Sequence, residues 1–142
     1  MNNLKKAGFV LIFLGIVAFC YSQNNQDTIT FDTGKPFLLE TKKVFSNGDL
    51  MINFGGSVDV MGTNLNPNAP TPTSYYSYII ELSDKTAQTT IYIKSYEIGK
   101  PEATKDWNGY QFTVLDNNVE RLKLHSSLEG RVLKVQVSQK AK

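Results

Sequence analysis

Two side chains are the only anchors for catalysis in this chain, Asp32 and His125. Asp32 opens the turn Asp32-Thr33-Gly34 directly behind the apolar stretch Ile29 to Phe31, and a carboxylate there could serve as a general acid or base. His125 is the single histidine, so a Ser-His-acid triad or a zinc centre would have to be assembled around one imidazole. The serines include no Gly-x-Ser-x-Gly elbow. Asp49, Asp59 and Asp84 carry oxygens suited to a hard cation, but no Asp-x-Asp-x-Asp-Gly loop joins them. Gly55-Gly56 lacks the Gly-Lys-Ser/Thr that completes a phosphate-binding loop. The expectation is therefore no metal and no cofactor.

The Asp32 segment resembles the catalytic turn of aspartic proteases, whose small dimeric members also match this chain in length. The resemblance would make Asp32 the proton-sharing carboxylate. The chain departs from it at Lys35 and Pro36, where Ala or Ser follows in those families, and Ile98-Gly99 is a poor copy of their later hydrophobic-Gly element. A plain β-turn, with Asp at its start and Gly in the left-handed region, accounts for the same residues. His125 likewise reads as a surface residue at a strand end, after Leu122 and Leu124. A small hydrolase centred on Asp32 or His125 is kept only as an alternative to a non-catalytic reading.

The aromatic residues are the remaining signal. Tyr75, Tyr76 and Tyr78 follow a Pro/Asn-rich stretch, and Trp107 and Tyr110 flank Asn108-Gly109. Rings displayed on a β surface supply large rigid contact area and keep a polar handle, which suits sugar stacking or a protein anchor. Tyr75, Tyr76, Trp107 and Tyr110 are the candidate ligand-binding residues. The competing reading is structural, because Tyr is a favoured strand residue and Trp107 can plug the end of a core.

Apolar residues alternate with period two in almost every segment after Gln23, which is the mark of strands with one buried face. Leu50, Ile52 and Phe54 share a parity that Val58 and Val60 continue across Gly55-Gly56, the glycines reading as a bulge. Further sets are Tyr76 to Leu82, Ile91 with Ile93, Phe112 with Val114, Leu122 with Leu124, and Leu133 to Val137. With the leading segments around Ile29 to Phe31 and Phe37 to Phe45, about eight strands are expected at sandwich-like spacing. Asn47-Gly48 and Asn108-Gly109 read as two-residue hairpins, Asp116-Asn117-Asn118 as a tight joint, and Leu128-Glu129-Gly130 as the last hairpin. Two connections are longer, Gly62 to Ser74 over the surface and Gly99 to Trp107 with one helical turn behind Pro101. The expected fold is an all-β antiparallel sandwich, with a lipocalin-like closed barrel as the alternative.

Ahead of this domain, Lys5 and Lys6 precede an apolar run of 13 residues, Ala7 to Phe19, and small residues at Cys20 and Ser22. This reads as a cleaved export signal over 1–22, leaving a single β domain over 23–142. Of the 15 basic residues, Lys5 and Lys6 leave with the signal, so 13 remain against 13 acids and the charge basis for nucleic-acid binding disappears. Cys20, the only cysteine, leaves too, which fits an oxidising compartment. The alternative is a lipid on Cys20 and membrane attachment through it, opposed by Phe19 where a small residue is expected. The functional expectation is an exported binding domain, periplasmic or extracellular, with a glycan or a protein as partner; an inhibitor or immunity protein blocking an exported enzyme is the second choice.

Overall fold

The computed structural model describes residues 27–62, 68 and 74–140. The expected signal with Cys20 and most of the Pro/Asn-rich connection lie outside the described residues. Nine strands form: β1 (Thr28–Thr30), β2 (Pro36–Glu40), β3 (Val44–Ser46), β4 (Met51–Met61), β5 (Ser74–Ser83), β6 (Gln88–Lys94), β7 (Thr104–Trp107), β8 (Tyr110–Asp116) and β9 (Val132–Gln139). They make a five-stranded sheet, β1-β3-β4-β5-β6, and a four-stranded sheet, β2-β9-β8-β7. Strand pairs are antiparallel except for β1 beside β3. The two sheets do not close, so the fold is the expected sandwich and not the barrel.

The alternation decides which side chains meet. Ile52, Phe54, Tyr78, Ile80, Leu82 and Ile93 come from one sheet, and Leu39, Phe112, Val114, Leu133, Val135 and Val137 from the other. All are essentially solvent-free, each worth roughly 1.5–3 kcal/mol of transfer free energy. Phe37 stacks on Phe31 at 4.6 Å between centroids and leans on Phe45 at 5.6 Å, extending the core.

Several local expectations are corrected. The segment Phe37 to Phe45 is two strands in different sheets, β2 and β3, separated at Lys42, whose φ of 63° breaks the extension. Asn47-Gly48 lies in a four-residue loop, because Asn47 Oδ1 accepts from both Asp49 N and Leu50 N and draws Leu50 into the core. Leu122 with Leu124 is no strand. Leu122 N bonds Asn118 O, Leu124 N bonds Val119 O, and Lys123 takes φ 56°, so local turns satisfy the backbone before any ladder can. Residues 117–131 are consequently one long connection between β8 and β9 instead of a tight joint and a later hairpin. Asn108-Gly109 does form a two-residue hairpin, with positive φ at both residues, and Pro101–Ala103 is a single 3₁₀ turn.

The bulge forms, but it changes which residues face the core. Phe54 pairs with Ile80 and Gly56 with Ile79, leaving Gly55 as the extra residue. Ser57 then lies beside Tyr78, so the core parity passes to odd numbers and Val58 and Val60 turn outward, opposite to the expected face. Gly56 takes φ +102°, a conformation that glycine adopts without strain.

Candidate functional site

The four candidate aromatics do not share a surface. Tyr75 and Tyr76 are neighbours on β5 and therefore point to opposite faces. Tyr75 is on the outer face, and Tyr76, 41% exposed, is on the core side at the strand end. Trp107 and Tyr110 pair across the β7–β8 hairpin and pack, half-buried, against the core. Their hairpin turn is tied to the far end of β5, since Asn108 Nδ2 donates to Asp84 Oδ2. Asp84 follows Tyr75 by nine residue steps along and just past β5, which puts the tied hairpin turn about 30 Å from Tyr75.

Around Tyr75 the fold assembles more than β5 alone provides. The chain leaves β6 in a 3₁₀ turn, Ser95–Glu97, pinned by Lys94 N donating to Glu97 Oε2 at 2.9 Å and Tyr76 N donating to Ser95 Oγ at 3.1 Å. This brings Tyr96 edge-on to Tyr75, centroids 5.1 Å apart with rings at 88°. Lys94 Nζ stands 5.8 Å from the Tyr75 ring centre and 5.7 Å from that of Tyr96, and Lys100 Nζ is 5.7 Å from Tyr96. The Tyr96 hydroxyl beside Lys94 raises its ammonium above the ordinary lysine range.

The same outer face continues as an apolar strip. Cross-strand pairing sets Val60 beside Tyr75, Val58 beside Ser77, and Ile79 beside Tyr92. Val58 is 50% exposed and Tyr92 57%, where an outward sheet face ordinarily carries polar residues. The strip ends at a polar pair, Asn53 Nδ2 donating to Glu81 Oε2 at 2.9 Å.

The other candidates of the sequence fall elsewhere. Asp32 is exposed at the start of its turn, with Lys35 N bonded to Asp32 O and Gly34 at φ +87°. Its carboxylate takes a hydrogen bond and charge from Lys35 Nζ at 2.8 Å, which lowers its pKa. His125 is exposed and caps the 3₁₀ turn Ser126–Leu128, Nδ1 accepting from Ser127 N and lying 3.0 Å from Ser127 Oγ. Among the described residues no three of His, Cys, Asp and Glu converge. An open polar groove of about 520 Å³ lies at the bulge, lined by Thr41, Lys42, Gly56, Glu129 and Arg131 among others, and no exposed ring faces it.

Tyr92, Lys94, Tyr96 and Val58 were not among the sequence candidates. Tyr92 was findable, since it alternates against the core residues Ile91 and Ile93 and is therefore an aromatic turned to solvent. Tyr96 and Val58 were not, because one depends on a turn after β6 and the other on the bulge. In comparisons with protein families, with curated proteins and with solved structures, nothing matches this chain.

Proposed function

We propose that this chain is an exported, non-catalytic binding domain that engages a protein partner through the outer face of its five-stranded sheet. The observation that carries the reading is the solvent-facing strip of Val58, Val60, Tyr75, Ile79 and Tyr92, edged by Lys94 and Lys100. A protein partner suits it better than a glycan because Tyr75 and Tyr96 meet at 88° and give no common plane for sugar stacking. Exposed apolar area with a cationic border fits a partner surface that is apolar at its centre and acidic at its rim. The leader over 1–22 supports export.

The test is capture of partners from the extracellular fraction of the producing cells, with the parent chain and a Tyr75→Ser/Tyr92→Ser variant, alongside a glycan array. A specific protein partner bound at least about tenfold more weakly by the variant is the expected outcome. Undiminished capture by the variant, or binding confined to the glycan array, refutes the reading.

A further inference from the structure

We propose that β6 is a pairing edge at which two copies of this chain join antiparallel, continuing the five-stranded sheet across a two-fold axis at Ile91. Four strands end the two sheets. Three of them are blunted: β1 has three residues, β7 has four and carries Lys105 and Asp106, and β2 begins at Pro36 and ends at Glu40. The fourth, β6, runs seven residues without Pro or Gly and has one charge, Lys94, at its last position. A long edge with no such guard is a template for another strand.

The direction of its free backbone groups follows from two hydrogen bonds. Tyr76 N reaches the Ser95 hydroxyl, so the even-numbered amides of β5 point toward β6, and Tyr78, Ile80 and Leu82 bond their partners Ile93, Ile91 and Thr89. The even residues of β6 therefore turn away from β5. Lys94 agrees, its amide going to Glu97 and not to Ser77. Gln88, Thr90 and Tyr92 direct N–H and C=O to the open side, and among the described residues no backbone bond outside the β5 ladder reaches them.

The occupant that fits is a second β6. An axis at Ile91 sets Thr90 opposite Tyr92 of the other copy, and both carry outward groups, so they form doubly hydrogen-bonded pairs on either side of the axis. On the core side Thr89 meets Ile93 and the half-buried Ile91 meets itself, closing the apolar row at the open side of the sandwich. Lys94 falls opposite Gln88, so no like charges face each other. This pairing uses the backbone edge of β6 and does not rest on the function proposed for its outer side chains.

The test is sedimentation velocity of the processed chain from about 1 μM to about 1 mM, with two variants. Thr90→Pro deletes an outward N–H without touching the β5 ladder and is expected to weaken self-association at least about tenfold with an unchanged circular dichroism spectrum. Ile91→Cys in the processed chain, where it is the only thiol, is expected to give a disulfide-linked dimer, since residues across the axis are a close, non-hydrogen-bonded pair, whereas Gln88→Cys is not. The Cys pair decides the matter even where Thr90→Pro fails to fold. A chain that stays monomeric throughout, an Ile91→Cys variant that does not cross-link, or pairing only with an added foreign strand overturns the proposal.

Discussion

Replacing Trp107 and Tyr92 separately by Ala tests the division of the aromatic residues into core and surface. Trp107 packs against the core from the β7–β8 hairpin, whereas Tyr92 is 57% exposed on the outer face. A fully buried aromatic costs about 3–5 kcal/mol when cut to Ala, so Trp107, mostly but not fully buried, is expected to cost about 2–3 kcal/mol. A domain of this size loses about 4 °C of Tm per kcal/mol, which predicts a fall of about 10 °C for Trp107→Ala. Tyr92, paired with Ile79 and more than half exposed, has little packing to give up, and its loss stays within about 0.5 kcal/mol, or about 2 °C. Thermal unfolding followed by far-UV circular dichroism reads both variants under one condition. A Trp107→Ala variant melting within about 2 °C of the parent, or a Tyr92→Ala variant falling as far as Trp107→Ala, would refute the assignment of these two rings.

Two further outcomes follow from particular contacts. Gly130→Ala, at φ +70° and with its new Cβ 2.6 Å from Ser57 Oγ, is expected to cost about 2 kcal/mol, against about 1 kcal/mol for Gly48→Ala, which is at φ +97° in open space. Urea denaturation measures both, and Ser57→Gly should remove the difference between them. Arg121 holds the Asp116 carboxyl down to about 2 through a hydrogen bond, chiefly, and its charge. Because the folded pKa lies below the unfolded one, that stabilisation is complete above about pH 4 and disappears as pH falls toward 2. With Arg121 itself well exposed, Arg121→Ala is expected to cost only about 1 kcal/mol at pH 7 and almost nothing near pH 2, by denaturation at the two pH values.

The fold was legible where one physical rule acts alone. Period-two alternation places Tyr78, Ile80 and Leu82, or Leu133, Val135 and Val137, on one face whatever the rest of the chain does, and Asn108-Gly109 admits positive φ at both residues of a tight hairpin. It misled where two rules compete. Leu122 and Leu124 alternate, but the Asn118 side chain accepts from Arg121 N at 3.0 Å and local turns around it capture the backbone. At β4 a bulge reads plausibly from Gly55-Gly56, yet its effect on facing depends on which partner residue each side pairs with, and that is a property of the register with β5. The candidate site shows the same limit. Tyr75 stands out in the sequence, but Lys94 and Tyr96 reach it only because β6 folds back along β5 and the following turn is pinned by Glu97.

Strand β6 carries the consequence furthest, because its two parities are given different tasks. The odd residues Thr89, Ile91 and Ile93 bond β5 and point their side chains to the core side. Every even residue points its side chain to the outer face and, as Gln88, Thr90 and Tyr92 show, its backbone to the open edge. Side-chain direction and backbone direction alternate together in a strand, so the surface proposed to recognise a partner by Tyr92 and the edge proposed to pair by the backbone of Tyr92 come from the same residues. Pairing at the edge would set two copies of the apolar strip on one continuous sheet, giving a bivalent face whose avidity exceeds that of either copy without a new kind of contact. Proline, which removes a backbone N–H, should therefore register as lost stability at odd positions of β6 and as lost association at even ones.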